Sequence, residues 1–385
     1  MRVCLLTAAY PSPAEATRAI FLENYLRALR GHGFDFHVVA PRVHHEDPLD
    51  EVRFGIRVSR FRYPASGLRL KEMRQLVPWT LAAYLASGLT RALEVVQKQS
   101  SDLLYAHWVL PTGLIGAASA ALTGLPLVVH AHGSDIHRYA CGSWLARSLA
   151  RGVLRKSSCV FTVSRELSST IKDRLDLSPE KLRCVPMGVD DSLFSRHYSG
   201  EGQKKPSDRL QLLFVGDIDT HKGVLEFTRG LVSANGLRER VHLHVVGDGP
   251  DRVALEELSG RNADLVTVYG RLSQEAVAQK CEQSDLLVLP SRGEGCPLAV
   301  MEALVARLPV LATPVGAIPD LVAHGERGWL EKSEDFVMRV RHLSEQPEEI
   351  RRVRERLART DLAREFGTER RAAQAAADLE RLGRK

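Results

Sequence analysis

Short runs of apolar residues recur along the chain, each bounded by turn residues and followed by a stretch with helical spacing of its hydrophobic positions. RVCLLTA, FDFHVVAP, IRVSRF, DLLYAH, PLVVHAHG, CVFTVS and KLRCVPMG are the strand-like runs of the first half. Runs of four to eight residues that alternate with helix-length segments predict βα units and a largely parallel sheet. Residues 19–30 and 110–123 read as helices, the first closed by Gly31 and Gly33 as a C-terminal cap. A polar segment, SRHYSGEGQKKPSDR at 195–209, interrupts the rhythm and reads as a linker. The rhythm then restarts with LQLLFVGD, HLHVVGDG, VTVYGR, DLLVLPS and LPVLAT.

The expected organisation is therefore two Rossmann-like, doubly wound α/β domains, residues 1–192 and 209–365, joined by a linker at 193–208. The charged, Ala-rich tail from 345 is expected to be helical, with about 366–385 packing back on the first domain. Open parallel sheets bind ligands beyond the carboxyl ends of their strands, so two facing domains are expected to share a cleft.

Composition narrows the class. A length of 385 residues with 44% hydrophobic content accommodates two cores. No apolar run reaches the roughly 18–20 residues that cross a bilayer, and MRVCLLTA enters a strand without a cleavable signal pattern, so a cytoplasmic location is expected. Six scattered cysteines without C-x-x-C spacing predict reduced thiols and no metal site. The formal charge of +6 is modest, but residues 53–74 concentrate Arg53, Arg57, Arg60, Arg62, Arg69, Lys71 and Arg74 among Phe54, Ile56, Phe61, Tyr63 and Leu68. That stretch is a candidate for peripheral contact with an anionic membrane, or a solvated face. Without a recognised binding module, no nucleic-acid partner is expected.

The strongest chemical signal is LLVLPSRGEGCPLAVMEAL at 286–304. A strand ending at Pro290 leads into a Gly-containing loop with Glu294, and a helix is expected to start at Pro297, where a missing N–H costs nothing. The amides of Leu298 and Ala299 would then form an anion site, and Glu302 lies about 7 Å further along the helix axis. Two glutamates eight apart are, on spacing alone, more often surface residues.

This E-x7-E segment, with the following PV strand and GAIPDLV, resembles glycosyltransferase family 4, whose members are retaining enzymes of the GT-B fold. LLFVGDIDTHKGVLEF, HLHVVGDGP, VTVYGRLSQEAVAQKCEQSDLLVLPS and HGERGWL extend the resemblance across the second domain. HWVLPTG, VVHAHGSDIH, VSREL and VPMGVDDSLF extend it into the first. The resemblance implies a nucleotide-sugar donor bound as a substrate, with no cofactor and no metal, and a glycan or lipid-linked acceptor. It implies catalytic roles for Glu294 at the donor sugar, Lys222 at the diphosphate and His132 at the reacting centre. Donor contacts fall on Glu302, at the ribose hydroxyls, and on Gly216, Gly295, Cys296, Leu298 and Ala299. The base is placed against Gly270, Arg271 and Leu272, and the turn Thr17, Arg18, Ala19 corresponds to the acceptor-side or phosphate loop.

Three departures accompany the resemblance. Asp217 stands where many relatives carry an arginine, leaving His221, Arg271 or Arg292 to compensate. Ala19 stands where relatives often carry glycine. Pro297 removes an amide donor. The D-x-D of residues 217–219 reads as part of a strand-turn rather than a metal signature. The implied context is bacterial surface polysaccharide or glycolipid assembly, at the inner face of the plasma membrane. A nucleotide-sugar epimerase and a non-catalytic nucleotide-sugar binder are the alternatives on the same fold.

Overall fold

The computed structural model describes residues 1–64, 67, 68, 70, 77–196 and 209–383. The chain divides into two compact units, Met1–Gly188 with Thr368–Lys385, and Val189–Gly367.

The first unit is built on eight strands: β1 (Arg2–Leu6), β2 (Asp35–Pro41), β3 (Asp50–Arg53), β4 (Ile56–Phe61), β5 (Leu103–His107), β6 (Leu127–Ala131), β7 (Cys159–Thr162) and β8 (Leu182–Cys184). Their spatial order is β3-β4-β2-β1-β5-β6-β7-β8, parallel throughout except for the hairpin β3–β4. The second unit has six strands: β9 (Leu210–Val215), β10 (Val241–Val246), β11 (Val266–Gly270), β12 (Leu286–Leu289), β13 (Val310–Ala312) and β14 (Gly328–Leu330). Their order β11-β10-β9-β12-β13-β14 is all parallel and follows the Rossmann pattern, with the strand order reversing between β9 and β12. The reversal in the first unit falls between β1 and β5. Strands covered on both faces bury nearly every side chain, which is why Leu103–His107 and Leu286–Leu289 are continuous runs without polar alternation.

Several sequence expectations change in detail. The first helix spans Ile20–Gly31, so Gly31 ends the helix, and Gly33, at φ 85°, alone takes the left-handed conformation. Helix Pro78–Gln99 and the short strands β3 and β14 are further elements that the sequence reading did not include. The tail after 345 is helical in three pieces, Pro347–Ala358, Leu362–Phe366 and Thr368–Gly383, separated at 359–361 and at Gly367, and it follows helix Phe336–Glu345. The last piece packs on Ile20–Gly31 within the first unit. Of the linker at 193–208, residues 193–196 belong to helix Asp191–Arg196 of the second unit, and 197–208 lie outside the described residues.

Several cations of the basic stretch at 53–74 are engaged within the first unit. Arg53 pairs with Glu23 at 2.8 Å, Arg57 with Asp35 at 3.0 Å, and the buried Arg60 with Glu51. Ile56 and Phe61 are in the core, and Arg27 lies over the Phe54 ring. Internal ion pairs and burial thus consume much of what composition offered to a membrane; Arg69, Lys71 and Arg74 lie outside the described residues. Among the described residues no helix is long and apolar enough to cross a membrane.

Candidate active site

In the second unit, the loops after β9 and β12 flank the point where strand order reverses. The β9 loop folds back at Asp219, whose carboxylate accepts the Lys222 amide at 2.9 Å. Gly223 follows with φ 68°, and a Cβ there would stand 2.5 Å from the Pro290 carbonyl oxygen, so only glycine lets the two loops meet. The Arg292 amide then donates to the His221 carbonyl at 2.7 Å, fixing the loops side by side. The result is a close pair: Lys222 Nζ lies 2.6 Å from Glu294 Oε1, and Ser291 Oγ donates to the same oxygen at 2.7 Å. Glu294 is 7% exposed and Lys222 23%, so the carboxylate depends on both donors for its charge to be tolerated.

The β12 loop is braced from beneath. Gly316, at φ 57°, brings its backbone against Glu294, where a Cβ would sit 1.9 Å from the carbonyl oxygen, and the Ala317 amide donates to the Gly295 carbonyl at 3.1 Å. Gly295 and Cys296 lead to Pro297, which is the N-cap, with extended φ and ψ of −72° and 114°, rather than the first helical residue. The helix begins one residue later than expected, at Leu298, and runs to Val305. Leu298 and Ala299 are thereby its first two residues, whose amides have no carbonyl within the helix to meet.

Glu302 sits one turn on. Gln274, at the start of helix Gln274–Gln283, hydrogen-bonds its side chain, yet burial dominates and pushes the carboxyl up to about 7. The loop at Gly270, Arg271 and Leu272 closes β11, with Gly270 at φ 72° and its carbonyl accepting the Gly247 amide at 2.9 Å. Gly216 and Gly247 are packed back to back: a Cβ on Gly247 would stand 1.8 Å from the Gly216 oxygen.

Asp217 is exposed while its neighbour Ile218 is fully buried. Arg271 lies 3.7 Å from Asp248, and Arg292 4.0 Å from Glu226. Both are loose, solvent-facing pairs of little strength. His221 is exposed on the Lys222 turn. Of the D-x-D carboxylates, that of Asp219 serves the turn itself.

In the first unit, His107 ends β5, and His130 and His132 lie at the end of β6, with His107 opposite His130 in register. His107 Nδ1 and His132 Nε2 are 2.8 Å apart, so one proton bridges them, and whichever ring donates it, His107 decides which nitrogen of His132 faces outward. His130 is saturated by the Tyr105 hydroxyl at 2.8 Å and the Val185 carbonyl at 2.9 Å. Burial holds His107 and His132 well below the ordinary imidazole range and brings His130 down to about 3, so the cluster is neutral at pH 7. The ring nitrogens lie within 4.8 Å of one another. Two ligands of a tetrahedral zinc, at about 2.0–2.1 Å each, would stand roughly 3.3 Å apart. The 2.8 Å contact and the saturated His130 therefore describe a hydrogen-bonded stack rather than a ligand set.

Asp135 holds His132 in place by accepting the amides of Val109 at 2.7 Å, Gly133 at 2.9 Å and His132 itself at 3.0 Å. Trp108, at φ 71°, and Phe21 lie 4.7 and 6.0 Å from the His132 ring. Phe21 is in the first turn of helix Ile20–Gly31, which follows the turn of Thr17, Arg18 and Ala19. Ala19 keeps the left-handed conformation, φ 54° and ψ 28°, that glycine would adopt without strain.

Sequence reasoning missed His107, Asp135, Ser291 and Gln274. His107, Asp135 and Ser291 lay inside the quoted motifs, but their service to a neighbouring side chain or amide is visible only once strands are adjacent. The same holds for Gln274, which lies inside VTVYGRLSQEAVAQKCEQSDLLVLPS.

Comparison with known proteins agrees with this architecture. The profile of the family described as "Glycosyl transferases group 1" matches residues 209–346, and that described as "Glycosyl transferase 4-like domain" matches 19–188. The glycosyltransferase TuaC of Bacillus subtilis, whose name assigns it provisionally to teichuronic acid biosynthesis, is 28% identical over 342 residues, covering 83% of each chain. D-inositol 3-phosphate glycosyltransferase of Actinosynnema mirum is 29% identical over 306 residues, 74% of this chain and 72% of its own. Among solved structures, sucrose-phosphate synthase of Thermosynechococcus elongatus superposes with a TM-score of 0.79 at 18% identity over 99% of both chains. HepE of Anabaena, solved with UDP-glucose, gives 0.74 at 18% identity over 99% of this chain and 100% of its own. With both halves matched by glycosyltransferase profiles, named glycosyltransferases aligned along most of its length, and the fold shared, the chain belongs to the group 1, family 4 glycosyltransferases of the GT-B fold and is a glycosyltransferase enzyme.

Proposed function

We propose that the chain transfers a hexose or related sugar from a nucleoside diphosphate donor with retention of configuration, without a metal ion, onto a glycan or lipid-linked acceptor. The observation that carries the donor site is the 2.6 Å pairing of Lys222 with Glu294 at the mouth of two strand loops, in the loop that leads into helix Leu298–Val305 and its Glu302. HepE, a structural neighbour, is solved with UDP and with UDP-glucose.

In this reading the pyrophosphate lies against the amides of Leu298 and Ala299, which offer unpaired donors and the positive end of the helix dipole. Lys222 turns from Glu294 to the phosphate and stabilises charge that develops as the glycosidic bond breaks. Glu294, released from the lysine, accepts hydroxyls of the donor sugar, and Glu302 those of the ribose. The loop at Gly270–Leu272 meets the base through backbone groups, while His132, neutral and oriented by His107, hydrogen-bonds at the reacting centre. Metal independence is supported by the occupation of the Asp219 carboxylate in its own turn. Retention and a glycan or lipid-linked acceptor follow from the family resemblance, and the name of TuaC supports a role in polysaccharide assembly, with the reaction at the cytoplasmic face of the membrane.

Lys222→Ala and Glu294→Ala proteins test the site. Removing a charge that acts on the transition state is worth about 10²–10³ in kcat, so both are expected to fold and to lose at least a hundredfold in transfer and donor hydrolysis. Undiminished turnover in both would refute the assignment. Activity abolished by a chelator and restored by a divalent cation would refute metal independence, and product of inverted anomeric configuration would refute retention.

A further inference from the structure

Helix Trp144–Lys156 of the first unit presents an exposed face that the donor site does not use. Ser143 caps it, its hydroxyl accepting the Ala146 amide at 3.2 Å, so Trp144 is the first helical residue. Ala150, Val153 and Leu154 are buried on one side. At about 100° per residue, the opposite arc carries Trp144, Ser148 and Gly152 with Arg155 between the first two, flanked by Leu145, Lys156 and Leu149 on one side and by Arg147 and Arg151 on the other. Trp144 is 80% exposed, Leu145 54% and Leu149 42%.

The helix contains Arg147, Arg151, Arg155 and Lys156 and no acid. Arg147 and Arg151 donate to the carbonyls of Cys141 and Arg174, contacts that leave their charge in place. Arg155 pairs with Asp176, both largely exposed. The core of a protein interface is depleted of lysine, whereas this helix carries four cations and no acid. Exposed tryptophan and leucine bordered by like-signed cations instead fit the boundary between anionic headgroups and acyl chains.

We propose that this helix is a docking surface for an anionic lipid bilayer, inserting Trp144, Leu145 and Leu149 below the headgroups while the arginines and Lys156 meet lipid phosphates. It takes the place of the contact expected at 53–74, where ion pairs and burial absorb much of the same residue types.

Flotation of the full-length protein tests it, using vesicles of phosphatidylcholine alone and of an equimolar mixture with phosphatidylglycerol. The protein is expected to float with the anionic vesicles at least tenfold more than with the neutral ones. The Trp144→Ser/Leu145→Ser/Leu149→Ser protein, altered only at exposed positions, is expected to lose at least tenfold of that binding and to keep its donor hydrolysis. Val52→Ser/Phe54→Ser, altering exposed apolar residues elsewhere, is expected to float as the parent does. Equal flotation of the triple variant, equal binding to neutral vesicles, or no binding at all would overturn the proposal. So would parent self-association that the triple variant abolishes, which would assign the face to a second copy of the chain. Loss of nucleotide binding with flotation intact would instead count against the donor site alone.

Discussion

Replacing Glu302 by glutamine gives a perturbation whose size follows from the structure. Burial moves this carboxyl from its ordinary 4.5 to about 7, against the opposing hydrogen bond from Gln274. The folded state therefore binds a proton more readily than the unfolded chain between these two values, and stability falls as pH rises through that window. Below about pH 4.5 the penalty is absent; above about pH 7 it is complete and constant. Each pKa unit corresponds to about 1.4 kcal/mol, so the shift amounts to roughly 3 kcal/mol, and partial solvent access reduces this to about 2 kcal/mol. A glutamine side chain at this position is neutral at every pH and can retain a hydrogen bond to Gln274. Urea unfolding read by pulsed hydrogen exchange in peptides from 286–312 should show Glu302→Gln more stable than the parent by about 2 kcal/mol at pH 8.5, and equal to it near pH 4.5. Nucleotide affinity should move oppositely. If the carboxylate accepts ribose hydroxyls, parent affinity for UDP rises with pH to a plateau just above 7, whereas the glutamine protein binds more weakly and without that rise. A stability difference of the same size at both pH values would refute the burial argument, and unchanged UDP affinity would refute the ribose contact.

Ala19→Gly should stabilise the chain by up to about 1 kcal/mol, because alanine at φ 54° carries a left-handed penalty that glycine lacks. Thermal unfolding checks this, and a fall in midpoint would show that the turn is held differently. Gly316→Ala must push its Cβ away from the Glu294 carbonyl oxygen, 1.9 Å distant. A loss of more than tenfold in turnover is expected, with far-ultraviolet circular dichroism retained, and parental kcat would contradict the tight packing of that loop.

Much of the fold was legible in the chain. Strands such as LLYAH and LLVL announce themselves because a sheet covered on both faces leaves no room for polar alternation, and the break near 190–209 marked two separate cores. Short segments stayed silent: β14 is only Gly328–Leu330, and β3 has four residues, three of them charged, of which Glu51 pairs across the hairpin with Arg60 of β4 and Arg53 with Glu23 of the first helix. The run from Pro290 through the Gly-containing loop to Pro297 marked a loop followed by a helix, but not that Pro297 caps rather than begins it.

What only the tertiary structure decided is which distant groups meet. Lys222 and Glu294 are 72 residues apart and share a hydrogen bond because Gly223 and Gly316 admit backbones where any Cβ would collide. His107 lies 25 residues before the His132 it orients, adjacent only because β5 and β6 pair in parallel. Likewise the basic composition of 53–74 and that of 144–156 look equivalent in one dimension, yet much of the first is spent on internal pairs and the second faces solvent. Sequence sets local preference through side-chain periodicity; whether a charge is available depends on the neighbours that folding brings to it.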